Sequence, residues 1–354
     1  MESTVTMGDQ LRPAGADGGV VSGPAGSPVL ELNSVTKTFE RRPDFAVKLV
    51  SLFGAKFDAR RVRAVQDVNL TVAPREVVGV VGESGCGKST LGRMAAGILK
   101  PTSGDVIFKG ANTRDLTGRE ATAAALGVQM VFQDPMSALN PRHRIGKIVS
   151  QAPVHHGLVR PSEADAFAAD LLEQVGLSSA ALRRFPHQFS GGQRQRVNIA
   201  RALAVKPDVI VADESVASLD VSIQAQIINL FMQLRRDHAL AYLFISHDLS
   251  VIEHIADRIV VMYLGKIVEM APTAELFAGA NHPYTRSLIA ERPVITSRRV
   301  GYRPLQGEIP SPLNPPSGCY FHTRCPHVMP RCKIEAPVLR EVAPNQASAC
   351  HLND

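Results

Sequence analysis

Tryptophan is absent from this chain of 354 residues, and Phe, Trp and Tyr together make up only 5% of it. Proteins that bind single-stranded nucleic acid stack bases on aromatic side chains, so a nucleic-acid partner is not expected. No stretch reaches the roughly 18–20 uninterrupted apolar residues that span a bilayer. The N-terminus carries Glu2 and Asp9, lacks an apolar core and is rich in Gly, Ala, Ser and Pro, so it does not read as a signal peptide. The expected location is the cytoplasm, with any membrane contact made through a partner. Cysteine is scarce: five residues, four of them in the last 36. In a reducing compartment they are not expected to form structural disulfides. The positive excess is small, +6, and suits phosphates or a lipid surface without choosing between them.

What is present is an ordinary globular composition, 45% hydrophobic and 20% charged. The length suggests two or three domains at roughly 100–200 residues each. Residues 1–28 hold too few large apolar side chains to pack and read as a flexible tail. Val29 to Phe39 alternates like a strand. The basic stretch Arg41 to Arg63 then reads as a surface insertion, either a solvated face or a contact with anionic lipid. Strands are predicted over Ala64–Val72, Glu76–Val81, Val128–Phe132, Val209–Ala212 and Tyr242–Ser246. A helix is predicted from Lys88 to about Leu99, broken by Pro101. Residues 134–190 carry helical patterns without a convincing strand. Alternating strand and helix implies α/β architecture around a mostly parallel sheet. After residue 290, Pro, Cys and His become frequent, so 291–354 reads as a small C-terminal domain.

Gly82-Glu83-Ser84-Gly85-Cys86-Gly87-Lys88-Ser89-Thr90 fits G-x-x-x-x-G-K-[ST], with a buried strand before it and a helix after it. That is the phosphate-binding P-loop. Its glycines allow close backbone approach, and its amides and helix N-terminus attract the anion. Lys88 adds a full charge for the β- and γ-phosphates of a nucleotide, and Ser89 offers a hydroxyl to Mg²⁺. Cys86 reads as a small filler. The apolar run Val209–Ala212 ends in Asp213 and Glu214. Asp213 is placed to hold the Mg²⁺ shell and Glu214 to polarise an attacking water.

Ser190-Gly191-Gly192-Gln193-Arg194, followed by a helix-like Gln195 to Ala204, narrows the choice among nucleotide hydrolases. Here the chain resembles the ABC transporter ATPase family, from about residue 29 to 290. The resemblance implies a P-loop ABC-type nucleotide-binding domain with its helical insertion at about 134–190. It also implies that the signature Ser190–Gln193 faces the γ-phosphate bound to a second ATPase subunit, a paralogue or a second copy. Gln133 resembles the glutamine that senses Mg²⁺ and water, and Ser218-Leu219-Asp220 the D-loop. His247 resembles the switch histidine, and Phe39 the aromatic that stacks on adenine. Phe189 stands where Leu is usual before the signature, and Ser215 where Pro usually follows the catalytic Glu.

Further stretches resemble the oligopeptide/dipeptide importer subfamily: Phe132-Gln133-Asp134-Pro135, Ser137 to Arg142, Phe185 to Phe189, Asp220 to Gln226 and His282-Pro283-Tyr284-Thr285. Nickel, glutathione and some sugar importers share them. The resemblance implies two integral-membrane permeases met by Gln133–Arg142, an indirect solute-binding partner, and a place at the cytoplasmic face of the membrane.

Cys319, Cys325, Cys332 and Cys350 follow the spacing C-x5-C-x6-C-x17-C, with prolines between. Four thiols in a core-poor segment suggest a metal centre. Zinc and a [4Fe–4S] cluster both accept four cysteines. The surrounding Pro310-Ser311-Pro312, Gly318-Cys319 and Arg324-Cys325-Pro326 resemble importer tails in which some members carry the cluster. His322, His327 and His351 are possible substitutes, with packing or surface roles as the plainer reading.

Overall fold

The computed structural model describes residues 27–40, 61–217, 219–291 and 307–354. Nearly all of the N-terminal tail, the basic stretch up to Arg60, and Ser218 of the D-loop lie outside the described residues. Among the described residues, twelve strands run β1 (Leu30–Glu40), β2 (Arg61–Val72), β3 (Val77–Val81), β4 (Ser103–Phe108), β5 (Ala111–Asn112), β6 (Val128–Val131), β7 (Val209–Asp213), β8 (Ala241–Ile245), β9 (Arg258–Tyr263), β10 (Lys266–Pro272), β11 (Arg340–Ala343) and β12 (Gln346–Ser348). They form two sheets, one in the order β2-β1-β4-β5 and the other β11-β12-β10-β9-β3-β8-β7-β6.

The middle of the larger sheet, β6-β7-β8-β3-β9, is parallel. Strands β3, β7, β8 and β9 are buried along their whole length. That explains their unbroken apolar runs: a parallel strand covered on both faces has no polar side to show. The register sets Val80 beside Ile245 and Ala212 beside Phe244. The carboxyl ends of β3, β6, β7 and β8 therefore open together, where ligands collect in such sheets.

Helix α1 (Lys88–Ala95) follows β3 directly. It stops sooner than the sequence suggests, and Gly97 rather than Pro101 stops it. Gly97 has φ 69, its amide bonds Met94 O, and the Ile98 amide bonds Arg93 O. That pair of bonds is a Schellman cap, which wants glycine at the left-handed position. Helix α2 (Gly118–Gly127) leads into β6. Between β6 and the next helix of the core, the described residues hold no strand. They fold into α3 (Pro135–Ala138), α4 (Ile145–His155), α5 (Ala164–Gln174) and short 3-10 turns. Helix α6 (Gly191–Leu203) then packs on β6, and Arg201 donates to Ala138 O across to α3.

Helices α7 (Val221–His238), α8 (Leu249–Ile255), α9 (Thr273–Gly279) and α10 (Pro283–Ala290) complete the chain before the C-terminal segment. Phe231 of α7 meets Tyr242 and Phe244 of β8 edge-on, with centroids 5.6 and 5.5 Å apart. Such pairs add about 0.5–1.5 kcal/mol each beyond burial. A Cβ on Gly79 of β3 would lie 2.6 Å from Ile252 of α8, so the glycine permits the close approach of helix to sheet. Arg258 and Glu76 form a buried pair, Nε to Oε1 2.9 Å, and Arg258 also donates to Thr71 O at 2.7 Å. This pair ties the start of β9 to the β2–β3 turn. The C-terminal residues join the same sheet: β12 pairs antiparallel with β10, setting Glu269 opposite Ser348.

Candidate active site

The loop after β3 is shaped by backbone contacts that exclude side chains. Gly82 and Gly87 have φ 149 and 109. A Cβ on Gly82 would stand 2.3 Å from Met262 O, and one on Gly87 2.1 Å from Ala64 O. A Cβ on Gly85, at φ 79, would meet nothing within 4 Å, so that residue faces open space. Lys88 is buried and donates to Gly82 O at 2.7 Å and Glu83 O at 3.0 Å. Its ammonium thus holds the loop closed on itself. Cys86 is buried, with Sγ 3.9 Å from Lys88 Nζ. Burial pushes its thiol up from the usual range, which fits a filler and not a reactive thiolate. Ser84 is exposed on the loop, and Thr90 is half-buried in the first turn of α1.

Ser89 donates from Oγ to Asp213 Oδ1 at 2.8 Å, joining the start of α1 to the end of β7. Burial raises the Asp213 carboxyl above its ordinary value, and the Ser89 hydroxyl works against that rise. A hydroxyl and a carboxylate side by side are hard oxygen donors, the set that Mg²⁺ prefers. The two residues fit the ion.

Glu214, next along the chain, has φ 44, an unusual setting for a residue with a Cβ. Its amide donates to Ile245 O at 2.9 Å, which fixes the turn after β7 against β8. Gln133 donates from Nε2 to Glu214 Oε2 at 2.7 Å. His247 Nδ1 stands 3.4 Å from the other oxygen, Oε1. One carboxylate is therefore flanked by residues from the ends of β6 and β8. Strained backbone of this sort is held by its surroundings and gathers at functional sites.

Ser190 caps α6: Gln193 N donates to Ser190 Oγ at 3.3 Å, and Ser190 N donates to Gln193 Oε1 at 3.1 Å. Ser190 and Gly191 are exposed. A Cβ on Gly192 would lie 2.5 Å from Ile223, and one on Gly191 3.5 Å from Leu219, so this helix start sits beside the residues around Asp220. No hydrogen bond among the described residues links Ser190–Gln193 to Lys88, Ser89 or Glu214. Phe39 ends β1 at 43% exposure with Lys37 5.6 Å from its ring centre. Its ring is part-exposed, with the Lys37 ammonium over it. Phe189 is buried with the Arg184 guanidinium 4.4 Å from its ring centre. Ser215 is buried, and its hydroxyl has no hydrogen-bond partner among the described residues.

The sequence set Tyr284 and Arg324 in importer-like stretches but did not reveal that both reach the phosphate loop. Tyr284 is fully buried and accepts the Glu83 amide at 2.9 Å, and Arg324 reaches the Glu83 carboxylate. Their partners lie 201 and 241 positions away, beyond any local motif.

The expected metal site in the cysteine tail is corrected in one respect. Among the described residues, no three of His, Cys, Asp and Glu are grouped to hold a metal ion. Neither the expected [4Fe–4S] cluster nor the zinc alternative on Cys319, Cys325, Cys332 and Cys350 finds support in this arrangement. Burial pushes the Cys319 thiol up to about 11 and raises those of Cys325 and Cys350. His351 is used otherwise, with Nε2 against Glu335 O at 2.9 Å and Nδ1 against Asp354 at 3.0 Å.

The family model of the ABC transporter matches residues 65–217, and that of the oligopeptide/dipeptide transporter C-terminal region matches 268–332. A relative named "Probable peptide ABC transporter ATP-binding protein y4tS", from Sinorhizobium fredii, is 50% identical over 292 residues, 82% of this chain and 83% of its own. The oligopeptide transport ATP-binding protein AppF of Bacillus subtilis is 46% identical over 328 residues, 92% of this chain and 97% of its own. Among solved structures, the dimeric ATP-binding cassette MJ0796 in a post-hydrolysis state with ADP and Pi has TM-score 0.59 at 28% identity. That likeness covers 69% of this chain and 98% of the other.

Proposed function

The chain belongs to the ABC transporter family and hydrolyses ATP, and we propose that it energises an importer of di- or oligopeptides. The observation that carries the catalytic reading is the Glu214 carboxylate, flanked by Gln133 and His247 and next in sequence to the Ser89–Asp213 pair.

ATP is the substrate. The loop amides and α1 receive its phosphates, and Lys88 exchanges two carbonyl oxygens for β- and γ-phosphate oxygens. Ser89, Asp213 and Gln133 are the residues that would hold Mg²⁺, which when bound neutralises phosphate charge. Glu214 orients a water for in-line attack on the γ-phosphorus and takes up its proton. The bond from the γ-phosphorus to the bridging oxygen breaks, and that oxygen leaves with ADP. His247 faces the γ-phosphate, and Phe39 stacks on the adenine. The exposed Ser190–Gln193 helix start is complementary to the γ-phosphate on a second ATPase subunit, a paralogue or a second copy. Asp220 lies at that same contact.

Gln133–Arg142 is the proposed seat of a permease coupling helix, in a transporter with two integral-membrane permeases. Asp134 caps α3 by accepting from Met136 N at 2.9 Å and Ser137 N at 3.3 Å. This presents Met136 at 42% exposure. A fixed turn offering a large apolar side chain suits a partner helix. No helix among the described residues is long and apolar enough to cross a membrane. The proposed station is the cytoplasmic face, beside the permeases and indirectly a solute-binding protein. Residues 134–190 form the helical subdomain of a 29–290 ATPase, and 291–354 the importer-type extension. Cells expressing the wild-type chain in place of their own copy should take up labelled di- and tripeptides, and cells expressing Lys88→Ala should not. Peptide uptake indifferent to Lys88→Ala, with nickel or glutathione uptake lost instead, would replace the cargo.

The finer proposal for the tail is a [4Fe–4S] cluster on Cys319, Cys325, Cys332 and Cys350. In support, the Cys319 amide donates to Cys332 O at 2.8 Å, which brings two of the four cysteines together. When bound, the cluster would supply cross-linking and redox response. Iron and sulfide analysis of anaerobically purified protein tests this, and colourless, iron-free protein removes it.

A further inference from the structure

Glu83 is an odd residue for a loop that receives phosphates. Its carboxylate adds negative charge where an anion must settle. The structure cancels that charge from the far end of the chain. Arg324 donates from Nη1 to Glu83 Oε2 at 2.7 Å and from Nη2 to Oε1 at 2.9 Å, the bidentate fork of the strongest charge-assisted pairs. The arginine side chain is only 5% exposed and the glutamate 19%. Removing one partner of so buried a pair leaves an uncompensated charge, and the loss is large.

The same residue is held at two further points. Its amide donates to Tyr284 Oη at 2.9 Å, and its carbonyl accepts from Lys88 Nζ at 3.0 Å. Tyr284 and Arg324 belong to one buried platform. Tyr284 lies against Tyr263 and Phe321 with ring centres 4.7 and 5.4 Å away. Arg324 N donates to Phe321 O at 3.0 Å. Side chain, amide and carbonyl of Glu83 are thus all fixed before any nucleotide arrives. Two of the three anchors stand outside the ATP motifs, and Arg324 stands next to Cys325 in the C-terminal segment.

We propose that Arg324 is a positioning residue for nucleotide binding: from the C-terminal segment it neutralises Glu83 and sets the phosphate loop in its binding shape. ATP affinity is then governed partly by a segment that never touches ATP. This rests on the reading of 82–90 as the phosphate site.

The test uses the full chain and equilibrium binding of ATP with Mg²⁺, below the melting temperature of each variant. Arg324→Gln should weaken ATP binding by about tenfold or more, because the bare Glu83 carboxylate repels the phosphates. KM should rise while kcat changes little, since Glu214 and its partners are untouched. The double variant Glu83→Gln with Arg324→Gln should recover most of the affinity, because the repelling charge is gone. Arg324→Lys keeps the charge without the fork and should fall between wild type and Arg324→Gln, which covers the case of Arg324→Gln failing to fold. A lowered melting temperature with wild-type affinity in Arg324→Gln, or a double variant no better than the single, would overturn the proposal. Lys88→Ala is the control on the loop. If Lys88→Ala loses ATP while Arg324→Gln keeps it, the role of Arg324 alone falls. If Lys88→Ala binds like wild type, the phosphate-site reading falls with it.

Discussion

Gln133 and Glu214 are 81 positions apart, yet their side chains meet, Nε2 to Oε2, at 2.7 Å. Gln133 opens the turn that leads to α3, and Glu214 follows the last residue of β7. Anything that shifts the α3 turn must therefore pull on the carboxylate proposed to activate water. The bond gives a direct physical link between the segment proposed to face a permease and the carboxylate proposed to activate water.

Glu214→Gln should bind ATP and fail to turn it over. Loss of a positioned general base costs roughly 10²–10⁴ in rate. Single-turnover hydrolysis beside equilibrium ATP binding separates the two effects. Hydrolysis at the wild-type rate would remove Glu214 from its role.

Lys88→Ala should reduce ATP affinity by about a hundredfold, the worth of a charge-assisted contact to phosphate. The variant also leaves Gly82 O and Glu83 O without their donor. Calorimetric titration with ATP reads the affinity, and near-wild-type binding would contradict the assignment.

Gly87→Ala should destabilise the loop by about 1–3 kcal/mol through backbone strain, with any clash added to that. The residue sits at φ 109, and the new methyl would press on Ala64 O. Gly85→Ala offers the comparison, since its Cβ would meet nothing within 4 Å. Its lesser effect on melting, set against the loss in Gly87→Ala, isolates the contact from the glycine content.

Acidification should loosen the start of α10 through His282. Burial lowers this imidazole to about 4, and its Nδ1 accepts the Tyr284 amide at 3.1 Å. The folded protein keeps it neutral, while the unfolded chain takes up a proton below about 6.5. The unfolded state then binds more protons, so stability falls as pH drops from about 6.5 towards 4. The loss is on the order of 2–3 kcal/mol across that window. His282→Asn keeps an acceptor at the helix start and should flatten the pH dependence of melting there.

The site was legible wherever a strand, a loop and a helix follow one another closely. Asp213 and Glu214 stand at the end of a buried apolar run, and Lys88 and Ser89 open the helix after the glycine loop that follows another. What escaped was long in range or unusual in its turn residues. The β9–β10 hairpin turns on Leu264 and Gly265 at φ 44 and 82. Left-handed values at both positions belong to a type I′ turn, where Asn-Gly would have been the readable pair. Strands β4, β5, β11 and β12 are short or only partly buried, so no periodic pattern marks them. Arg324 gave no sign of its partner, because a pairing across 241 positions leaves no trace in local spacing.

Strand β12 occupies the outer side of β10, and β11 lies beyond it. The distal tail is therefore a hem on the main sheet. Cutting it away at residue 339 would bare a row of peptide groups on β10, and raw β borders of that kind invite other chains to stitch on. A shortened protein should clump before it loses its nucleotide pocket.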